Sequence, residues 1–205
     1  MEILRKHFGR AVTNCYVVVG KSGENGTQSI IIDPGEGAYK WAVENAVNLQ
    51  GVFLTHGHYD HVYDAKFFAQ KSEIYIHEDD EFMLISDPFG IMPNTFNSSK
   101  LAKDGDEFKV GGFSVKFHHF PGHTPGCCML EVNFQGSKSV IFSGDFLFEG
   151  SIGRYDFPFS DAGDMKESLE KALKIKNEYE IYPGHGRSST LQSEKDTIEY
   201  FLGIL

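Results

Sequence analysis

Three of the nine histidines in this chain of 205 residues fall within six positions, in the run Thr55-His56-Gly57-His58-Tyr59-Asp60-His61. Imidazole nitrogens and carboxylate oxygens at this spacing are ligand-type groups for a divalent ion. In an extended or turning segment His56 and His58 share one side. Asp60 and His61 arise one turn later and can address a second centre. Gly57 lets the backbone turn closely. Three more residues stand in similar places, each just beyond an apolar run and next to a glycine. They are His123 in Pro121-Gly122-His123-Thr124-Pro125-Gly126, Asp145 after Val140-Ile141-Phe142-Ser143-Gly144, and His185 in Tyr182-Pro183-Gly184-His185-Gly186. Together they supply five imidazoles and two carboxylates, a nitrogen and oxygen set suited to zinc, iron or manganese. No cysteine lies in these motifs, which argues against a structural thiolate zinc site.

The elements that must position this set alternate. Ala11–Gly20 contains the β-branched run Val17-Val18-Val19, and Ser29–Ile32 is an apolar run ending in the turn signal Asp33-Pro34-Gly35. Residues 37–46 read as a helix with Trp41 as a core anchor. Gly51–Leu54 reads as a short strand that delivers the histidine cluster at its C-terminal end, where α/β folds hold their sites. Val62–Gln70 reads as a helix, Glu73–His77 as a strand, and Glu78–Ile85 as a helix stopping before Asp87-Pro88. Pro88–Lys103 is polar and reads as a long surface loop of the kind that forms lids or binding loops. Glu107–Val110, Phe113–Phe120, Cys128–Phe134 and Ser139–Phe142 read as strands of a meander. Asp164–Lys174 has helical spacing of Met165, Leu169, Ala172 and Leu173, with Ser160 or Asp161 as cap. Tyr179–Tyr182 reads as a strand, and Glu194–Leu202 as a helix capped by Ser193. Sheets covered by helices on their outer faces fit this order, in one domain spanning 1–205.

Acidic residues exceed basic ones by 29 to 19, a net charge of −10, which argues against nucleic acid or an anionic membrane as partner. No apolar run approaches the roughly 20 residues of a membrane span. The start, Met-Glu-Ile-Leu-Arg-Lys-His, has no apolar leader region, so a cytoplasmic location is expected. Cys15, Cys127 and Cys128 are odd in number and read as buried thiols. Cys127 and Cys128 would point to opposite sides of a strand. His7, His77, His118 and His119 lack the strand-end context and read as structural or surface residues.

The ordered set His56-x-His58-x-Asp60-His61, His123, Asp145 and His185 resembles the metallo-β-lactamase superfamily. Within it the chain looks like the glyoxalase II, or hydroxyacylglutathione hydrolase, group. The segments Ser143–Phe148 and Ser151-Ile152-Gly153-Arg154 add to the match. The resemblance implies an α/β fold, a four-layer αββα sandwich with two divalent metal ions, zinc before iron or manganese, in a cleft at one edge of the sheets. By motif, His56, His58 and His123 resemble the ligands of the first ion. Asp60, His61 and His185 resemble those of the second, and Asp145 matches the bridging aspartate. Arg154 matches a basic family position near the glutathione site, and Tyr155 beside it is expected as a further substrate contact. Typical glyoxalase II enzymes carry a C-terminal helical domain; twenty residues follow His185 here, so a short form is expected.

The implied reaction is hydrolysis of a small acyl thioester, such as a glutathione thioester, by a hydroxide shared between the ions, with Asp60 both ligand and orienter. A thiolate leaves readily near neutral pH, so no strong general acid is required. Rival readings are a persulfide dioxygenase using one iron on a subset of these ligands, a lactonase, and a non-catalytic metal-binding module. Completeness of the second set, Asp60, His61 and His185, favours hydrolysis over the dioxygenase.

Overall fold

In the computed structural model, which describes residues 1–23, 26–92 and 95–205, two six-stranded sheets face one another. The first runs β1 (Glu2–Phe8), β2 (Thr13–Ser22), β3 (Gly26–Ile32), β4 (Leu49–Phe53), β5 (Ile74–His77) and β6 (Lys100–Ala102) in sequential order. Its β1-β2-β3 meander is antiparallel, and β3 to β6 pair in parallel. The parallel pairs need crossovers. These are supplied by α1 (Tyr39–Asn45), by α2 (Tyr59–Val62) with a 3-10 turn at Ala65–Phe68, and by α3 (Glu81–Ser86).

The second sheet contains β7 (Glu107–Val110), β8 (Phe113–His119), β9 (Cys128–Phe134), β10 (Val140–Gly144), β13 (Glu180–Pro183) and β14 (Ser189–Thr190). It orders as β14-β13-β10-β9-β8-β7, with β10 and β13 parallel. A small hairpin, β11 (Leu147–Phe148) with β12 (Ser151–Ile152), follows β10. The chain closes on α4 (Ala162–Leu173) and α5 (Lys195–Leu202).

Three apolar clusters follow from strand periodicity. Tyr16, Val18, Ile30, Ile32 and Phe53 of the first sheet meet Phe117, Leu130, Val132 and Phe142 of the second. The alternate residues Cys15, Val17, Val19, Ile31 and Val52 point the other way, against Ala42, Val62 and Leu84 of the helices. On the far side Met129, Ile141 and Ile181 pack under Met165, Leu169, Ala172 and Ile198. This is the four-layer αββα sandwich. It also explains why the strands read as unbroken apolar runs, since both faces are covered. Cys127 and Cys128 do fall in different layers, and all three thiols are free and buried. Among the described residues no helix is long and apolar enough to cross a membrane.

Some expectations shift. β1 was not expected; three charged residues and one histidine interrupt Glu2–Phe8, and only pairing with β2 makes it a strand. β6 lies inside the expected 88–103 loop, recruited by β5; residues 93 and 94 of that loop lie outside the described residues. The helix expected at Val62–Gln70 is two short pieces, and the first starts earlier, at Tyr59, so that it carries Asp60 and His61. Asp161, not Ser160, caps α4 by accepting from the Asp164 amide. Ser193 does not cap α5: the cap position is Glu194, buried and bonded to the Gly150 amide and the Ser189 and Thr197 hydroxyls. Trp41 stands at the edge of its cluster, against Phe8.

The sheet interface leaves little room. A Cβ at Gly20 would lie 2.3 Å from the Phe134 ring. Gly20→Ala is expected to cost about 1–3 kcal/mol by overpacking, read as a lower urea midpoint at unchanged m-value.

Candidate metal centre

Strand ends assemble the site. β4 runs out into Thr55–His58, and α2 brings Asp60 and His61. His123 follows β8, Asp145 follows β10, and His185 follows β13. The two sheets are joined here by the Asn14 amide, which donates to the Gly184 carbonyl at 2.7 Å, while within the second sheet the Gly184 amide donates to the Gly144 carbonyl at 2.8 Å. All seven ligand-type side chains meet. His58 Nδ1 lies 2.9 Å from His123 Nε2. Asp145 Oδ1 lies 3.2 Å from His61 Nε2, and its Oδ2 lies 3.3 Å from His185 Nε2 and 3.5 Å from His123 Nε2. Asp60 Oδ2 is 3.4 Å from His185 Nε2 and 3.5 Å from His61 Nε2. Donor atoms within 4.8 Å of one another form three overlapping groups: His56, His58, His123; His56, His61, Asp145; and Asp60, His61, His185.

The imidazoles are oriented from behind. His123 Nδ1 donates to the Arg154 carbonyl at 2.7 Å, and His61 Nδ1 donates to Asp33 Oδ2 at 3.0 Å. The Thr55 hydroxyl donates to Asp33 Oδ2 at 2.7 Å, which leaves its oxygen to accept from His56 Nδ1 at 3.1 Å. In the His56 and His123 rings Nδ1 carries the proton and Nε2 turns its lone pair inward, as metal ligands require; His61, held charged by Asp145 and Asp60 without an ion, would release its Nε2 proton on binding one. Thr13 donates to Asp60 Oδ2 at 2.6 Å.

Asp33, Thr55 and Thr13 were not expected to serve the site. Asp33 carries a visible signal, a strand-end position next to Pro34-Gly35 like that of Asp145 beside Gly144, although the same run is also a turn signal. A fourth missed residue is Asp80, whose fully buried carboxylate joins the two histidine loops. Its Oδ2 accepts from the Gly57 amide at 2.8 Å and the Thr124 hydroxyl at 2.7 Å, and its Oδ1 accepts from the Gly126 amide at 2.6 Å.

Charge is arranged for a cation. Burial, then neighbouring imidazoles, push His56 below its usual range, and burial and His123 push His58 down to about 3. Burial also lowers His123. These rings are neutral at pH 7 and ready to bind. Burial opposes a charge on His61 and His185 as well, but Asp145 and Asp60 override it, raising His61 and lifting His185 to about 9. Asp145 is held well below the carboxylate range, burial being overcome by His61 and His185. Three buried atoms, His56 Nε2, His61 Nε2 and Asp145 Oδ1, make no well-aligned hydrogen bond, the last two facing each other as an ion pair at 3.2 Å. Buried polar atoms left without one are costly, and a divalent ion would satisfy all three. The donor set therefore fits a metal.

Other sequence candidates are not among the converging side chains. The exposed Arg154 guanidinium is bound bidentately by Asp156 at 2.6 and 2.7 Å, and Tyr155 packs against the α4–α5 cluster. His77 and His119 stack face to face at 4.0 Å with 11° between planes and, with the exposed Asp79, form a separate group of ligand-type atoms within 4.8 Å of one another. A Cβ at Gly184 would lie 2.2 Å from Asp145 Oδ1 and 2.5 Å from His61 Cε1. Gly184→Ala is expected to displace that carboxylate and weaken metal binding about 10- to 100-fold, measured by competition with a chromogenic chelator.

The sequence model of the metallo-beta-lactamase superfamily matches residues 8–185. A hydroxyacylglutathione hydrolase GloC of Haemophilus influenzae is 37% identical over 181 residues, covering 80% of this chain and 83% of that protein. The solved BLEG-1 B3 metallo-beta-lactamase superposes with a TM-score of 0.79 at 27% identity, over 98% of this chain and 99% of that one. TTHA1623, solved in a di-iron-bound form, gives a TM-score of 0.72 at 29% identity, over 95% and 98%.

Proposed function

Since the chain belongs to the metallo-beta-lactamase superfamily, whose members are generally hydrolytic, we propose that it is a metal-dependent thioesterase of the hydroxyacylglutathione hydrolase type. The observation that carries the reading is the convergence of seven ligand-type side chains with three buried atoms that make no well-aligned hydrogen bond. His56, His58 and His123 would hold one divalent ion, and Asp60, His61 and His185 a second, with Asp145 between them. Zinc is the first candidate, and iron or manganese fits the same donors. Bound there, divalent ions acidify water toward neutrality and polarise a carbonyl.

The chain's own residues do the rest. Asp33, Thr55 and the Arg154 carbonyl keep the Nε2 atoms of His61, His56 and His123 aimed inward. Thr13 fixes Asp60 by its Oδ2, so that this carboxylate orients the attacking water. A thiolate departs without a proton from the enzyme. No serine or cysteine nucleophile is needed, and burial pushes all three thiols above their usual range.

The test is a panel of a hydroxyacylglutathione, a coenzyme A thioester, a lactone and a β-lactam, with metal analysis and oxygen uptake on the same sample. Thioester hydrolysis that EDTA abolishes and added zinc, iron or manganese restores is the expected result. Oxygen consumption with a glutathione persulfide, or turnover confined to the lactone or the β-lactam, would overturn it.

A further inference from the structure

Beside the metal centre lies a cleft of about 200 Å³ with His58 and Asp60 on its floor and Phe89, Ile91 and Phe157 on its walls. The walls are apolar side chains left in water: Ile91 is 47% exposed and Phe157 40%. Both aromatic walls stand over a histidine of the centre, with Phe89 5.5 Å and Phe157 6.2 Å from the His58 ring. Phe89 is backed by Phe159, itself 48% exposed, at 5.8 Å. The Arg154 guanidinium lies 4.3 Å over the Phe157 ring and is bidentately bound by Asp156, so its charge is matched and it stiffens the wall.

A reacting carbonyl must sit at the floor, where the ligand-type groups are. Whatever is attached to that carbonyl then meets the walls. The volume is comparable to the roughly 150 Å³ of an apolar cavity known to hold a benzene ring. We infer that this cleft takes an apolar acyl arm of about six carbons, aliphatic or aromatic, and that acyl length sets the substrate preference. The inference rests on the hydrolase reading of the centre and names the substrate class within it.

Acyl thioesters of N-acetylcysteamine from acetyl through butanoyl to hexanoyl and phenylacetyl give the test on the metal-loaded protein. Burial of apolar area is worth about fourfold per methylene when complete, so kcat/KM is expected to rise at least tenfold from acetyl to hexanoyl. Ile91→Ser and Phe157→Ser should flatten that slope. A second measurement needs no turnover: calorimetric binding of hexanoate against acetate, expected at least tenfold tighter for hexanoate. Hydrolysis that is flat in chain length, with the two acids binding equally, overturns the inference and leaves the thioesterase reading standing. Tight hexanoate binding with no thioester turned over sinks the thioesterase reading and leaves the apolar subsite.

Discussion

Asp145→Asn is expected to lower kcat/KM for thioester hydrolysis at least roughly 1,000-fold and to strip bound metal in parallel. The reason is position. One oxygen of this buried carboxylate faces His61 and the other faces both His123 and His185. No other side chain of the centre touches members of both ligand sets through two separate atoms. Asparagine keeps the shape, removes the charge, and turns an amide N–H₂ toward imidazole nitrogens. The same change has a signature without metal. Asp145 helps raise His61 and lift His185 to about 9. A histidine raised in the folded state contributes stability that is present below its unfolded value, near 6.5, and is lost as pH rises through the folded value. In EDTA-treated protein the advantage of the wild type over Asp145→Asn should therefore be largest near pH 6 and shrink toward pH 9.5, read by thermal unfolding. Full activity and metal content in the variant would remove the metal mechanism.

Asp80→Asn is expected to cost about 3 kcal/mol of stability and to weaken metal binding about 10- to 100-fold, although Asp80 touches no ligand side chain. Three donors converge on its two oxygens, from Gly57 between His56 and His58, and from Thr124 and Gly126 beside His123. An asparagine oxygen in the Oδ2 place can still accept from Gly57 and Thr124. Its N–H₂ then faces the Gly126 amide across 2.6 Å, donor against donor. Thr124→Ser keeps its hydroxyl and is expected to stay near wild type, which separates a lost bond from general damage to the loop. Burial outweighs the three donors and raises Asp80 to about 6. For an acid raised on folding the sign is reversed: its contribution to stability is present at low pH and declines as pH rises through about 6. The stability gap between wild type and Asp80→Asn should therefore narrow from pH 4 to pH 7, measured by urea unfolding of metal-free protein. A gap independent of pH would show that the carboxylate is not the titrating partner.

Local pattern in the sequence carried the seven ligand-type residues, because five stand beside a glycine close after an apolar run and Asp60 and His61 belong to the same short motif as His56 and His58, and a strand's period is visible over four or five residues. It carried the layering too: Cys127 and Cys128 had to part, and they face different apolar clusters. Tertiary structure decided what local pattern cannot encode. Glu2–Phe8 is a strand because β2 pairs with it, and Lys100–Ala102 because β5 does. Asp33 reaches His61 across 28 positions, Asp80 reaches Gly126 across 46, and the Arg154 carbonyl reaches His123 across 31. Such long-range contacts set which ring nitrogen carries the proton and which group is charged. Residue types alone named the atoms able to bind an ion; only folding brought the buried carboxylates and carbonyls close enough to aim them, since a hydrogen bond acts over about 3 Å and a sequence has no such distance in it.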